Sequence, residues 1–326
     1  MPYPVKFAPV AQPRIWGGDE LKAKFGVERP EPTGEYWVLS GHPSAETVAV
    51  NGEHAGKTLS ELAQEFPEAY LGRSPQDRFP LMVKFLEARD DLSVQIHPHD
   101  EYASERHGDY GKTEAWYFLD AQQGAKIIHG HSFPNREEYV RAVQDNRIRE
   151  FLQYREIEKG QLVFVPSQTL HALLAGSILI EIQQTSDITY RVYDWDRLDE
   201  TGAGRELHVE QAADVMFYGE RVLGDGTDLA HYELARGEGL IHEHLLTCPY
   251  FVIEKVTLRA TGYSLELGRK GNPDVLIVAK GEGDLVAADS GEPLCLRFGD
   301  AVLIPSTTGA YWLRTETEME LLRVYY

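Results

Sequence analysis

The chain has 326 residues, which is enough for two domains of ordinary size with a core in each. Its hydrophobic fraction of 42% is typical of a globular protein. With 32 basic and 52 acidic residues, the formal net charge is −20, which disfavours nucleic acid and anionic lipid as partners. An anionic small molecule would need a local cluster of Lys and Arg.

Two further features predict a soluble, cytoplasmic protein. The N-terminal segment has no charged region followed by an apolar run, so we expect no signal peptide, and no apolar stretch approaches the roughly 20 residues of a membrane span. The only cysteines, Cys248 and Cys295, form no C-x-x-C pair, which fits a reducing compartment and argues against a cysteine-type zinc site.

The hydrophobic patterns predict mostly β structure with a few helices. Residues 35–40 have the composition of a strand. A capped apolar pattern predicts a helix over 58–66, and helical periodicity predicts two more over 135–154 and 209–218. The rest consists of short β-rich runs punctuated by Gly and Pro, as in a sandwich or barrel.

An internal repeat indicates the architecture. Gly160-Gln-Leu-Val-Phe-Val-Pro166 and Gly299-Asp-Ala-Val-Leu-Ile-Pro305 share a glycine turn, a buried strand and a proline that ends the strand. This pattern resembles the second conserved motif of the cupin superfamily of small double-sheet β-barrels. We therefore predict tandem cupin-type barrels of the jelly-roll form. Residues 1–240 would form a metal-binding catalytic domain, and residues 241–326 a metal-free one.

The two copies differ where a metal ligand would stand. Five residues after Pro166 comes His171, whereas the equivalent position after Pro305 is Ala310. A barrel that keeps a histidine at its rim can hold a metal ion. The first barrel is therefore the predicted metal site and the second is predicted to be structural.

Strand parity supplies the remaining ligands. Gln95 and His97 are two residues apart and therefore point to one face of a strand, and Lys112 and Glu114 have the same relation. With His171, this predicts a single metal site of Gln95, His97, Glu114 and His171. Two imidazoles and a carboxylate suit Zn²⁺, although another divalent ion such as Fe²⁺ would also fit.

Each of these residues also has an ordinary structural interpretation. Glu114 could be a strand carboxylate paired with Lys112, and a lone histidine is more often hydrogen-bonded than metal-bound. His99 is an alternative to His97, and His129 and His131 lie nearby in sequence.

Several segments together resemble a known family. They include Phe79-Pro-Leu-Met-Val-Lys84, Leu92-Ser-Val-Gln-Ile-His-Pro98, Gly111-Lys-Thr-Glu-Ala-Trp-Tyr117 and Thr189-Tyr-Arg-Val-Tyr-Asp-Trp-Asp-Arg197. With these segments, the chain is similar to the short bacterial type I mannose-6-phosphate isomerases over about residues 14–200.

The resemblance implies the same four zinc ligands and adds pocket residues. It places Lys112 and Arg191 in the pocket, with Lys84 and Ser93 on its wall. It also implies that mannose 6-phosphate and fructose 6-phosphate are interconverted through a cis-enediol. One departure is Gly111, because long family members carry a histidine there that is thought to assist ring opening.

The chemistry leaves alternatives for each residue. Lys112 fits either the base that moves a proton between C1 and C2 or a group that binds the phosphate. The guanidinium of Arg191 suits an enediolate or phosphate oxygen, or else a structural ion pair with Asp194 or Asp196. Lys84 and Ser93 fit phosphate binding or a pair at the barrel edge.

Two other functions compete with the isomerase. A non-catalytic sugar-phosphate-binding bicupin would bind without turnover, and an iron-dependent cupin oxygenase would contain iron. The Lys and Arg complement favours a small sugar phosphate as the partner.

Overall fold

The computed structural model describes residues 2–198, 201–219, 223–288 and 292–326. The described part is mainly β, as predicted. Its strands up to residue 193 are β1 (Val5–Ala8), β2 (Val10–Gly18), β3 (Thr33–Leu39), β4 (Val48–Ala49), β5 (Leu81–Ala88), β6 (Val94–Ile96), β7 (Glu114–Ala121), β8 (Lys126–His131), β9 (Leu152–Glu156), β10 (Leu162–Val165), β11 (His171–Leu173), β12 (Ser177–Gln184) and β13 (Tyr190–Tyr193). Those that follow are β14 (Tyr232–Gly237), β15 (Leu240–Thr247), β16 (Val252–Arg259), β17 (Gly262–Glu266), β18 (Asp274–Ala287), β19 (Leu294–Arg297), β20 (Ala301–Ile304), β21 (Ala310–Arg314) and β22 (Glu318–Tyr325).

The helices are short and lie between the strands. They are α1 (Glu20–Phe25), α2 (Leu59–Glu65), α3 (Pro67–Tyr70), α4 (Asp100–His107), α5 (Arg136–Gln144) and α6 (Val209–Val215), with 3₁₀ turns at Gly52–His54 and Ile148–Phe151. Within the four described stretches, none of these helices is long and apolar enough to cross a membrane.

The first barrel is built from two antiparallel sheets. One has the strand order β10-β7-β12-β5-β3-β2 and the other has the order β13-β6-β11-β8-β9. Apolar side chains from both sheets meet in one buried cluster that includes Trp116, Phe118, Ile127, Leu173 and Leu179. This cluster fills part of the barrel interior, and the polar site occupies another part.

The second barrel is formed by an eleven-stranded sheet that contains all strands from β14 onward. The N-terminal strands also contribute to it, because β1 pairs with β20 and β4 pairs with β1. The division of the chain near residue 240 stays a prediction. A strand from the beginning of the chain nevertheless extends the sheet of the C-terminal barrel.

The two barrels pack through a large apolar interface. Outward-facing residues of the six-stranded sheet share one buried cluster with residues of the second barrel. Val83, Ala115 and Ile182 belong to the first side, and Ile277 and Leu322 to the second. The outer face of the sheet that carries Glu114 is therefore covered by the second barrel.

The repeated motif forms the same structure in both barrels. Gly160 and Gly299 have positive φ angles of 79° and 87°, and the residues after them form the short buried strands β10 and β20. His171 and Ala310 each begin the strand that follows, β11 and β21. The prediction of tandem barrels is confirmed, and the histidine stands only in the first copy.

The helix predictions are confirmed in part. Thr58 caps α2 and forms a capping box with Glu61, as the sequence indicates. The helix predicted over 135–154 begins as predicted, directly after its N-cap Asn135, but it ends at Gln144. A left-handed residue, Asn146, then redirects the chain into the 3₁₀ turn and into β9, so the second half of that prediction is wrong.

Candidate metal centre

Three predicted ligands converge inside the first barrel. His97 follows β6, while Glu114 and His171 begin β7 and β11. His97 Nε2 lies 3.6 Å from Glu114 Oε2, and His171 Nε2 lies 3.5 Å from Glu114 Oε1. All three side chains are about 1% exposed. Their ligand atoms are close enough together to hold one metal ion.

Gln95 completes the predicted set. It pairs with His171 across β6 and β11, so both side chains lie on the same face of the five-stranded sheet. The carboxamide nitrogen of Gln95 lies 3.4 Å from His171 Nε2. The structure therefore brings all four predicted ligand residues into one cluster.

Backbone carbonyls orient both imidazoles. His97 Nδ1 donates to the Ile188 carbonyl and His171 Nδ1 donates to the Thr169 carbonyl, each at 2.8 Å. A ring that donates through Nδ1 presents the lone pair of Nε2, which is the form a metal ion requires. The lone pairs of both rings therefore point towards Glu114.

Some of the polar atoms that face the centre of the cluster have no hydrogen-bond partner within the described residues. Among the described residues, the buried atoms His97 Nε2 and Glu114 Oε1 have no hydrogen-bond partner. Buried polar atoms without partners are costly and often indicate a missing ion or water. Together with the donor set of two imidazoles and one carboxylate, these atoms fit a divalent cation.

Electrostatics keep the cluster in its metal-ready protonation state. Burial, assisted by the Lys112 charge, lowers the pKa of His97 to about 3 and also lowers that of His171. Burial alone would raise the pKa of Glu114, but Lys112 and the imidazoles hold it well below its usual range. Neutral imidazoles and a carboxylate anion are the forms that bind metals.

The other nearby histidines are used elsewhere. His129 Nε2 donates to the Phe164 carbonyl, and His131 Nδ1 accepts from the Phe133 amide. His99 precedes α4 and lies outside the three-residue cluster. Among the described residues, His97 is therefore the better of the two alternatives in its segment.

A pocket of about 440 Å³ opens over the cluster. Gln95 and His171 form part of its wall, as do Ser93, Lys112 and Arg191. Five basic and three acidic side chains line it: Arg14, Lys84, Lys112, Arg191 and Arg205, with Glu35, Glu181 and Asp187. In a chain of net charge −20, this is the local basic cluster that an anionic ligand needs.

Lys112 lies deep in this pocket. Its Nζ is 3.2 Å from Glu114 Oε2, and its side chain is 5% exposed. Burial alone would lower the pKa of Lys112, but the carboxylates of Glu114, Glu181 and Asp187 raise it. The ammonium group is thus held beside the candidate metal ligand Glu114 and away from solvent.

The two predicted wall residues, Ser93 and Lys84, both line the pocket, but they differ in how many protein groups they contact. Ser93 is buried and lines it. Lys84 Nζ lies 3.5 Å from Glu181 and 3.9 Å from Glu35, and it stands over the ring of Trp37. The ammonium of Lys84 is therefore already surrounded by protein groups.

Arg191 faces the pocket, and the alternative interpretation, a structural ion pair with Asp194 or Asp196, is absent among the described residues. Its Nη1 donates to the Glu206 carbonyl at 3.0 Å, and its buried Nε has no partner among the described residues. Asp194 instead binds Arg205 and Arg197. In the part of the chain that the structure describes, no carboxylate lies within ion-pair distance of Arg191, so its guanidinium keeps a donor for a ligand.

A larger cavity of about 730 Å³ lies elsewhere on the first barrel. Its lining is partly apolar and includes Phe164, Phe217 and Leu245. The described lining residues include no carboxylate and none of the four predicted ligands. The smaller pocket is therefore the one that combines charge with the candidate metal site.

Comparison with known proteins agrees with this site. Residues 5–124 match the family model described as phosphomannose isomerase type I, catalytic domain. The chain is 38% identical to the mannose-6-phosphate isomerase of Bacillus subtilis over 318 residues, which cover 97% of each chain. The chain belongs to the type I phosphomannose isomerases. A second member, the mannose-6-phosphate isomerase of Streptococcus mutans, is 36% identical and covers 94% of this chain and 93% of its own.

The fold agrees over the whole length with a solved phosphomannose isomerase. The crystal structure of the Bacillus subtilis mannose 6-phosphate isomerase covers 100% of both chains, with a TM-score of 0.89 and 34% identity. The tandem-barrel arrangement is thus common to this chain and to a relative of known structure.

Sequence reasoning on this type I phosphomannose isomerase missed some pocket residues. Glu181 and Asp187 were not singled out, nor was Arg205. A signal for Glu181 was present, because it is the one charged residue in the apolar run Ser177–Gln184. An acid at that place needs a buried partner, which Lys84 and Trp116 provide. No comparable signal marked Asp187 or Arg205.

Proposed function

We propose that this chain interconverts mannose 6-phosphate and fructose 6-phosphate with a single Zn²⁺ held by Gln95, His97, Glu114 and His171. The observation that carries the proposal is the buried cluster of His97, Glu114 and His171 beneath a basic pocket. The names of its relatives of similar length support the same reaction.

The reaction moves a proton between two adjacent carbons through a cis-enediol. Negative charge develops on the enediol oxygens, and a bound divalent ion supplies Lewis-acid stabilisation of that charge. Two imidazoles, a carboxylate and an amide suit Zn²⁺. Metal analysis of the protein as isolated tests this choice against iron.

We assign Lys112 to the reacting carbons and not to the phosphate. Its Nζ is buried next to Glu114, at the bottom of the pocket. A phosphate is large and doubly charged, and it is better received where the pocket meets solvent. A divalent cation bound beside Lys112 would oppose the effect of these carboxylates and lower the pKa of the amine, so that Lys112 could exchange the proton between C1 and C2.

We propose that Arg191 contacts an oxygen of the enediolate or phosphate. Its Nε is buried and unpartnered within the described stretches, so a ligand oxygen would satisfy it. Ser93 remains a proposed phosphate contact, since its hydroxyl lies on the same wall. Lys84 is held by two carboxylates, so we propose that it contributes charge to the site without contacting the phosphate.

A direct assay tests the function. Purified protein is incubated with Zn²⁺ and fructose 6-phosphate, and mannose 6-phosphate is measured. The double variant His97→Ala, Glu114→Ala should lose turnover. The control variant Glu156→Ala, which changes an exposed glutamate on β9, should retain it.

The outcomes separate the competing functions. Equal activity of the wild type and the double variant would contradict the isomerase proposal. Binding of the sugar phosphate without turnover would indicate the non-catalytic bicupin. Iron in the isolated protein together with oxygen uptake would indicate the oxygenase.

A further inference from the structure

In the segment that carries Lys112 and Glu114, three consecutive backbone amides donate hydrogen bonds to other parts of the chain. The Gly111 amide donates to Asp100 Oδ1 at 2.8 Å. The Lys112 amide donates to the Pro98 carbonyl at 3.1 Å, and the Thr113 amide donates to Gln184 Oε1 at 2.9 Å. Because the segment is not yet in β7 at these residues, these contacts take the place of strand pairing.

Asp100 and Gln184 act together in this arrangement. Gln184 Nε2 donates to Asp100 Oδ1 at 3.0 Å, so this oxygen accepts hydrogen bonds from both the Gly111 amide and the Gln184 side chain. Gln184 is about 1% exposed, which makes its bonds hard to replace with water. The Asp100 carboxylate and the Gln184 carboxamide are thus hydrogen-bonded to each other, and they bind the backbone amides directly before and directly after Lys112.

Gly111 allows its own backbone to lie close to the backbone of residues 99 and 100. A Cβ atom at residue 111 would come within 2.7 Å of the Asp100 amide nitrogen and 2.8 Å of the His99 carbonyl carbon. Both are backbone atoms, which cannot rotate out of the way. A larger side chain at residue 111 would not fit this arrangement, so the Asp100 contact requires the glycine.

The second barrel completes the contact. Tyr250 lies in the turn between β15 and β16, and its hydroxyl donates to Asp100 Oδ2 at 3.0 Å. Oδ1 already accepts two hydrogen bonds, so the bond from Tyr250 fixes the remaining oxygen. The orientation of the whole carboxylate therefore depends on a residue of the other barrel.

We propose that Asp100 is a positioning residue for Lys112 and that Tyr250 extends this function to the second barrel. The second barrel would then be part of the support of the catalytic site and not only a packing partner. The catalytic consequence rests on the proposed isomerase function, whereas the structural consequence for residues 111–113 does not. A displacement of about 1 Å in a reacting group costs up to about 100-fold in rate.

The test uses the full-length, zinc-loaded protein with Tyr250→Phe, which removes one hydroxyl. We expect kcat to fall about 10-fold with KM within about twofold of wild type, since only positioning changes. Zinc content should stay the same. Amide hydrogen exchange in peptides that cover residues 108–116 should become faster.

A matched control removes another hydroxyl that links the C-terminal part to the N-terminal part. The Tyr326 hydroxyl donates to the Leu71 carbonyl at 2.8 Å, far in sequence from the Lys112 segment. Tyr326→Phe should retain the wild-type kcat and the wild-type exchange over 108–116. If it reproduces the effects of Tyr250→Phe, the proposal is wrong.

A conservative variant supplies the rescue. Asp100→Asn keeps an acceptor for Gly111 and Gln184, and its amide can donate to the Tyr250 oxygen. It should be much closer to wild type in kcat and in exchange than Asp100→Ala. Unchanged kcat and unchanged exchange in Tyr250→Phe would overturn the proposal, even if Asp100→Ala fails to fold. Should the wild type show no isomerase activity, the exchange comparison still decides the positioning role.

Discussion

Charged side chains of alternating sign follow one another along the wall of the pocket. Arg14 Nε lies 2.8 Å from Glu35 Oε1, and Lys84 stands between Glu35 and Glu181. Trp37 also donates to Glu35, at 2.7 Å. Removing one member leaves its partner as an uncompensated buried charge, which is more costly than the pair is worth.

Glu35 provides a test of this arrangement through pH. Burial alone would raise the pKa of Glu35, but Lys84 and Arg14 lower it from 4.5 to about 2. A carboxyl with a lower pKa in the folded chain stabilises the fold above pH 4.5, and this contribution is lost as the pH falls towards 2. Glu35→Gln should therefore reduce the free energy of unfolding at pH 7 by about 3 kcal/mol.

Urea unfolding at several pH values measures the effect. The difference between Glu35→Gln and wild type should shrink steadily as the pH falls from 4.5 to 2, because wild-type Glu35 becomes protonated in that range. A difference that is constant with pH would contradict the electrostatic origin.

At the residue scale, the sequence predicts the convergence of Gln95, His97, Glu114 and His171 better than the rest of the pocket. Strand parity places Gln95 and His97 together, and the cupin-like repeat locates His171. Arg205 reaches the pocket from a segment with no strand pattern, where only tertiary contact with Asp194 determines its position. Such a contact has no counterpart in sequence spacing.

At the element scale, the repeated glycine turn was predictable because its cause is local. A left-handed φ favours Gly over other residues, so a Gly before a four-residue apolar run predicts the turn. The second half of the 135–154 helix was not predictable in this way. Ile148, Phe151 and Leu152 fit a helical stripe, but they bury against the five-stranded sheet and α6 as a 3₁₀ turn and the beginning of β9.

The two copies of the turn make a matched pair of variants. At Gly160 an added Cβ meets nothing within 4 Å, whereas at Gly299 it would lie 2.5 Å from the Phe25 ring. Gly160→Ala should cost about 1 kcal/mol for the left-handed backbone alone. Gly299→Ala should cost about 1–3 kcal/mol more, because it also overpacks the Phe25 side chain.

Thermal or urea unfolding of the two variants under the same conditions gives the comparison. Equal destabilisation would mean that Phe25 moves aside without cost, and the packing argument would then be incorrect.

At the scale of the whole molecule, the interiors of the two barrels correspond residue by residue. Asp274 pairs with Ile304 just before Pro305, as Glu114 pairs with Val165 just before Pro166. The registers of the neighbouring strands then make three further pairs equivalent: Glu181 and Arg323, Lys84 and Glu254, and Glu35 and His242. The chain thus contains two versions of one polar interior.

The second version is organised around a guanidinium. Arg323 bonds to Asp274 at 2.7 Å, to Glu254 at 3.1 Å and to the Glu266 carbonyl. Asp274 is equivalent to Glu114, and Glu266 is equivalent to Gln95 by its pairing with Ala310. A permanent cation of the chain therefore contacts residues at positions that correspond to two proposed metal ligands of the first barrel.

This correspondence predicts that the two barrels respond to different perturbations. Arg323→Met leaves Asp274 and Glu254 buried without their cation, so it should destabilise the protein by about 3 kcal/mol or more, with unchanged metal content. Lys255→Met on the neighbouring strand β16 removes a more exposed pair with Glu243 and should cost less than about 1 kcal/mol. A chelator should lower the melting temperature of wild type and of Arg323→Met by similar amounts, since the candidate metal site and Arg323 lie in separate barrels. Differential scanning calorimetry with metal analysis measures both effects, and loss of metal from Arg323→Met would show that the two interiors are coupled.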